Sequence, residues 1–150
     1  MDYGELMTYT GDIYLGQIFE PQDNTLILEI YRGKVSDTEE DIQVGDHVLR
    51  NTRSIDLDKT LPTVRLEFDW YIAYSVTNES YGFWDDYEMF NGSTFRVYSK
   101  SRYLDFIKVG TIATENYPGP FKHYGIVALN HVIDVVSTTP PIITLIDGTV

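Results

Sequence analysis

The sequence contains no cysteine, only three histidines, and few basic side chains: 11 Lys and Arg stand against 23 Asp and Glu. Without cysteine the chain can form no disulfide framework, no thiolate zinc site and no thiol nucleophile. The net charge of −12 leaves no basic footprint for binding a phosphate backbone. We therefore expect no metal, no cofactor and no nucleic-acid partner.

The sequence also shows no signal peptide and no long hydrophobic run. Residues 1–5 carry acid where a signal peptide needs basic side chains, and no apolar segment follows them. The most apolar stretch, residues 125–136, is too short and too polar to span a bilayer. We expect a soluble, cytoplasmic protein without membrane contact. Its 43% hydrophobic residues suffice for a single globular domain over residues 1–150.

Common catalytic motifs are absent as well. No glycine belongs to a phosphate-binding loop, no serine lies in a G-x-S-x-G elbow, and no histidine lies in an H-E-x-x-H motif. These absences favour a binding protein over an enzyme.

The chain is rich in segments where apolar and polar residues alternate. Such alternation covers residues 64–76, and only an extended strand divides it into a buried and a wetted face. Residues 126–136 are ambiguous between a buried strand and a buried helix, and their β-branched content favours a strand. Further strands are predicted in residues 13–19, 26–31, 94–98, 124–136 and 142–146.

Turn residues separate these segments. The dipeptide Asn91-Gly92 is typical of a tight hairpin turn, because both residues tolerate positive φ. It predicts a hairpin between residues 87–90 and 94–98. A further turn is predicted at residues 32–34, around a glycine.

Two short helices are predicted. Ser101 can cap a helix that Gly110 closes in the left-handed conformation. A capping-box pattern predicts a second helix within residues 36–45. Together these elements predict a mainly β fold, an antiparallel barrel or sandwich with one or two short helices, with an α+β fold as the alternative.

Aromatic residues are concentrated in residues 68–98, which hold 11 of the 21 in the chain, beside several carboxylates. Exposed rings and carboxylates can stack on sugar rings and accept hydrogen bonds from hydroxyls, or anchor a protein interface. Alternatively, the loop in this region covers one end of the sheet. The candidate binding residues are Tyr71, Tyr81, Trp84, Asp85, Asp86, Tyr87 and Glu88.

His123, His131 and Asp134 are the candidate catalytic residues. A carboxylate often fixes the tautomer of a general-base imidazole, so His131 with Asp134 is a candidate pair. Positions three apart on a strand point to opposite faces, however, and these residues are alternatively polar interruptions of a core strand. Glu67 and Asp69 have a spacing compatible with glycosidase carboxylates, but a solvated charged face explains them more simply.

The excess of acid is confined to the first part of the chain. Residues 1–88 carry 19 acidic and 6 basic side chains, whereas residues 89–150 carry 4 and 5. The acidic side chains of the first part pair either with the basic residues of segment 96–108 in the same molecule or with a basic partner protein. We predict a non-enzymatic protein-binding module, comparable in charge and size with an immunity protein that inhibits a basic bacterial toxin. The alternative is a carbohydrate-binding or glycoside-processing domain with a glycan or other small-molecule ligand.

Overall fold

The computed structural model describes residues 1–147, without the side chains of residues 35 and 37. This part of the chain forms two antiparallel sheets and two short helices, which confirms the predicted mainly β fold. The helices are α1 (Tyr3–Met7) and α2 (Arg102–Gly110), and a 3-10 turn covers Glu79–Tyr81. The strands are β1 (Ile13–Gln22), β2 (Thr25–Val44), β3 (His47–Leu57), β4 (Thr63–Asp69), β5 (Ala73–Asn78), β6 (Met89–Gly92), β7 (Phe95–Lys100), β8 (Lys122–Val127), β9 (His131–Ser137) and β10 (Ile142–Ile146).

The two sheets pack face to face around a shared core. The first sheet has the order β1-β2-β4-β10, with β3 paired to the distal part of β2, and the second has the order β5-β9-β8-β7-β6. Leu28 and Leu66 from the first sheet join Ile126 and Ile133 from the second in one cluster, and all four are fully buried. Burial of these aliphatic side chains from both sheets is the main stabilising contribution to the sandwich.

The thirteen-residue strand predicted over residues 64–76 is two strands in different sheets. β4 ends before Trp70, whose φ of 53° places a non-glycine residue in the left-handed region. β5 then pairs with β9 in the second sheet. The predicted alternation holds in β4, where Val64, Leu66 and Phe68 are buried. The alternation continues across both strands in the sequence because β5 also carries alternating apolar side chains.

The segment predicted as a helix at residues 36–45 is strand, and so is the predicted turn at residues 32–34. β2 runs unbroken through both and pairs with β3, with the turn at Gly45 and Asp46. Gly45 has a φ of 61°, as a tight hairpin turn requires. We call the hairpin of residues 33–57 the arm. Every residue from 38 to 51 is exposed, so the arm stands away from the sandwich.

The hairpin predicted near Asn91 is present, but its turn lies two residues later. Asn91 pairs with Val97, and Gly92 pairs with Arg96. Gly92 has a φ of 93° within β6. The stretch predicted as strand in residues 126–136 is also strand, divided between β8 and β9 by a short turn.

Helix α2 begins where it was predicted to begin. The Ser101 hydroxyl oxygen accepts a hydrogen bond from the backbone N–H of Leu104 at 3.0 Å, which satisfies one free donor of the first turn. The expected closure by Gly110 is wrong, because Gly110 is still helical and Thr111 is the C-cap. Within residues 1–147 neither helix has the length and apolarity needed to cross a membrane.

Candidate functional site

A cleft of about 370 Å³ is lined by residues of β5, β9, α2 and the loop between β5 and β6. Its polar side chains include Ser75, Thr77, Glu88 and Asp134. Its aromatic side chains include Tyr81, Phe83, Trp84, Tyr103 and Phe106. Predominantly aromatic walls with a few polar groups are typical of ligand sites.

A second cleft adjoins the first at Trp84, which lines both. This cleft has a volume of about 350 Å³, and its polar lining includes Asp12, Glu79, Ser93 and Arg96. The Arg96 guanidinium lies 5.2 Å from the centre of the Trp84 ring. Among the described residues, Trp84 is the side chain common to the linings of both clefts.

The loop of the first cleft is held on the N-terminus of α2 by its own carboxylates. Asp85 forms a bidentate ion pair with Arg102, with distances of 3.1 and 2.6 Å. These hydrogen bonds from the guanidinium lower the pKa of Asp85. Glu88 accepts a hydrogen bond from the backbone N–H of Arg102 at 3.2 Å, where the helix dipole favours negative charge.

Cation–π contacts attach this loop and the adjoining strand β6 to basic residues of β7 and α2. The Arg96 guanidinium lies 3.9 Å from the centre of the Phe90 ring, and Lys100 Nζ lies 4.3 Å from that of Tyr87. The Tyr87 hydroxyl donates a hydrogen bond to Asp105 on α2. Aromatic and acidic side chains therefore contact Arg96, Lys100 and Arg102 of the basic segment within the molecule.

Beneath the first cleft, three side chains form a hydrogen-bonded chain. Ser101 Oγ lies 2.7 Å from Nδ1 of His123, and Nε2 of His123 lies 2.6 Å from Oδ1 of Asp134. An ionised carboxylate can only accept, so Nε2–H of His123 donates to Asp134. The Ser101 hydroxyl therefore bonds to the opposite ring nitrogen, Nδ1, while its oxygen also accepts the Leu104 N–H. The imidazole stacks on Tyr98 with 4.2 Å between ring centres.

Ser101, His123 and Asp134 are the residue types of a hydrolase triad, but their exposure is the reverse of what such a triad needs. A nucleophilic serine must reach the substrate, whereas Ser101 is 0% and His123 1% exposed. Asp134 is the member that lines the cleft. Within residues 1–147 its Oδ2 has no hydrogen-bond partner, so the chain presents a fixed carboxylate oxygen that can accept hydrogen bonds from a ligand.

The predicted pairing of His131 with Asp134 does not occur. Both lie on β9, where residues three apart face opposite sides of the sheet. His123 lies diagonally across from Asp134, because β8 pairs with β9 in a register that places Gly125 opposite Asp134. His131 begins β9, and within the described residues its buried Nδ1 has no hydrogen-bond partner.

The predicted binding residues divide into three groups. Tyr81, Trp84 and Glu88 line the cleft, and Asp85 and Tyr87 fix the loop. Tyr71 and Asp86 do not line the cleft. The two carboxylates of β4 considered for glycosidase chemistry, Glu67 and Asp69, do not line it either.

Tyr71 belongs to a different contact. Its hydroxyl donates a hydrogen bond to Glu20 on β1 at 2.5 Å, and this bond raises the pKa of Tyr71 to about 12. Its ring packs edge to face on Tyr74, with 5.0 Å between ring centres. Tyr71 therefore links β1 to the beginning of the second sheet.

Sequence reasoning missed two aromatic residues of the cleft on α2. Tyr103 and Phe106 both line the cleft, and neither is among the predicted binding residues. Burial, with the charge of Asp134 as a second cause, raises the pKa of Tyr103 to about 12. Their three-residue spacing, which places both on one helix face, is the available signal.

Residues 1–147 contain no group of three or more His, Asp or Glu side chains placed to hold a metal ion. Comparison of the chain with protein-family models, curated proteins and solved structures finds no match. The function is therefore inferred from the chemistry of the described surfaces.

Proposed function

We propose that the protein is a non-catalytic binding protein whose first cleft holds a sugar ring or a similar hydroxylated ring. The observation that carries this proposal is the combination of exposed aromatic faces with the fixed carboxylate of Asp134. Tyr81, Phe83 and Trp84 are 78%, 69% and 53% exposed. Aromatic rings cover the apolar face of a sugar, and a carboxylate oxygen accepts hydrogen bonds from its hydroxyl groups.

The carboxylates of the cleft are fixed hydrogen-bond acceptors, which suits them to bind hydroxyl groups. Asp134 and Glu88 line the cleft, and each is held by a hydrogen bond from a protein donor, His123 and the Arg102 backbone respectively. Binding is proposed rather than hydrolysis because the sequence carries none of the common catalytic motifs. A cytoplasmic location, which the absence of cysteine favours, is part of the proposal.

A glycan array followed by calorimetry with the best-binding glycan tests this function. We expect Trp84→Ala and Asp134→Asn each to weaken binding about tenfold or more, because each removes one of the two recognition elements. Trp70→Ala is the matched control, since Trp70 is the other tryptophan and is 70% exposed outside the cleft. An array without hits, or affinities that neither cleft variant changes, would contradict the proposal.

A further inference from the structure

The end of the arm carries an apolar patch that packs on nothing in the described chain. Ile42 pairs with Leu49 and Val44 pairs with His47, so Ile42, Val44 and Leu49 lie on one face of the hairpin. These three side chains are 43%, 54% and 52% exposed. Neither buried core cluster includes them. The patch therefore contributes little to the stability of the sandwich.

The arm also offers an open strand edge. Within residues 1–147, β3 pairs with β2 alone, so its outer edge presents unpaired backbone N–H and C=O groups. Such an edge is a template on which a further strand can pair. An apolar patch beside an open edge matches the recognition of an extended polypeptide segment.

The charge of the arm selects among the possible occupants. Residues 33–57 carry six acidic and three basic side chains, a net charge of −3. Arg50 and Arg53 are paired inside the arm, with Asp41 at 3.7 Å and Glu39 at 3.0 Å. A second copy of the chain would bring a like-charged arm and a total net charge of −12, which repels association.

We propose that the arm binds an extended segment of a basic protein partner. The segment pairs with the outer edge of β3, lays apolar side chains on Ile42, Val44 and Leu49, and places Lys or Arg beside the arm carboxylates. This surface is separate from the cleft, so it stands independently of the ligand proposed there. The arm is therefore the surface that we assign to the protein-binding function predicted from the charge of the sequence.

A synthetic peptide of alternating lysine and valine is the probe, and a glutamate–valine peptide is its charge-reversed control. Each is titrated into ¹⁵N-labelled full-length protein. We expect the lysine–valine peptide alone to shift amide resonances, with the shifts confined to residues 38–57. Leu49→Ser should weaken this binding about tenfold, and raised salt should weaken it further. Ile142→Ser is the matched control, because Ile142 on β10 is 57% exposed, close to the 52% of Leu49.

The proposal would be overturned if the two peptides bound with equal affinity, or if the amide resonances that shift lay outside the arm. It would also be overturned if the Leu49→Ser variant bound the lysine–valine peptide as tightly as the unsubstituted protein. Dimerisation of the free protein that Leu49→Ser abolishes would show that a second copy occupies the arm instead. Circular dichroism of both variants confirms that they are folded, which the exposure of both side chains leads us to expect.

Discussion

Nε2 of His123 lies 2.6 Å from Oδ1 of Asp134, although 11 positions separate the two residues in the chain. The pairing of β8 with β9 brings them together, and Ser101 extends the contact to the first turn of α2. One buried polar chain thus joins a helix cap to two central strands and ends at the cleft.

Replacing the imidazole should be costly for stability. We expect His123→Ala to lower the free energy of unfolding by about 2–4 kcal/mol, because it opens a cavity and leaves the buried Ser101 hydroxyl without its imidazole partner. Urea denaturation measures the loss. His47→Ala, at the exposed end of the arm, should change stability by less than about 0.5 kcal/mol. Equal losses in the two variants would contradict a stabilising role for the buried chain.

The hydroxyl of Ser101 has two bonding roles, so its removal should affect the helix first. We expect Ser101→Ala to cost about 1–2 kcal/mol, with faster amide hydrogen exchange in the first turn of α2. Ser80→Ala is the control, because the exposed Ser80 hydroxyl makes no hydrogen bond within the described residues. Unchanged exchange at Leu104 would argue against the capping role.

The contact of Asp85 with Arg102 should make the loop sensitive to acid. Hydrogen bonds from the guanidinium lower the pKa of Asp85 below its ordinary 3.8. The stabilisation is therefore present above pH 3.8 and is lost as the pH falls through the lowered value. Trp84 fluorescence, measured with Trp70→Phe in place, should report a loop transition below pH 3.8 that Asp85→Asn lacks. If Trp84 fluorescence changes with pH in the same way with and without Asp85→Asn, the ion pair does not hold the loop in place.

If a saccharide occupies the first cleft, the shared wall at Trp84 predicts a preference for longer ligands. We expect an oligosaccharide to bind about tenfold tighter than its single sugar unit, because it reaches the polar side chains of the second cleft. Glu79→Gln should weaken binding of the oligosaccharide and leave that of the single unit unchanged. Glu115→Gln, exposed outside both clefts, is the calorimetric control. If the oligosaccharide and its single sugar unit bound with equal affinity, only the first cleft would take part in binding.

The outer part of the arm, residues 40–52, should be dispensable for folding. Replacing residues 40–52 by Asn-Gly joins the paired residues Glu39 and Arg53 through a tight turn. We expect the free energy of unfolding to change by less than about 1 kcal/mol, because the removed side chains are almost all exposed. Urea denaturation checks this, and a larger loss would assign the arm a structural role.

Local patterns predicted much of the fold but not the long-range choices. Alternation found β4, and Ser101 marked the start of α2. The capping-box pattern at residues 36–45 failed because pairing with β3 supplies more hydrogen bonds than a short isolated helix can. The crossing between sheets at Trp70 carried no signal, since a bulky aromatic residue is unexpected at positive φ. Helix α1 is too short for periodicity, although Asp2 and Glu5 form a capping box.

The cleft was predicted by residue type but not by contact. Trp84 was selected because aromatic and acidic residues cluster around it in sequence. The partnership of His123 with Asp134 depends on strand register, which single-sequence patterns do not specify here. Ser101 was expected only to cap a helix, and its bond to His123 follows from packing of α2 against the second sheet.

Because β2 continues without interruption from the sandwich into the arm, its length determines how far the arm extends. At about 3.3 Å per residue, the part of β2 beyond Gly33 extends roughly 35 Å. A partner bound at the end of the arm, as proposed, would then contact the protein well away from the buried core of the sandwich. Under the two proposals together, one short chain would connect a large partner to a small ligand.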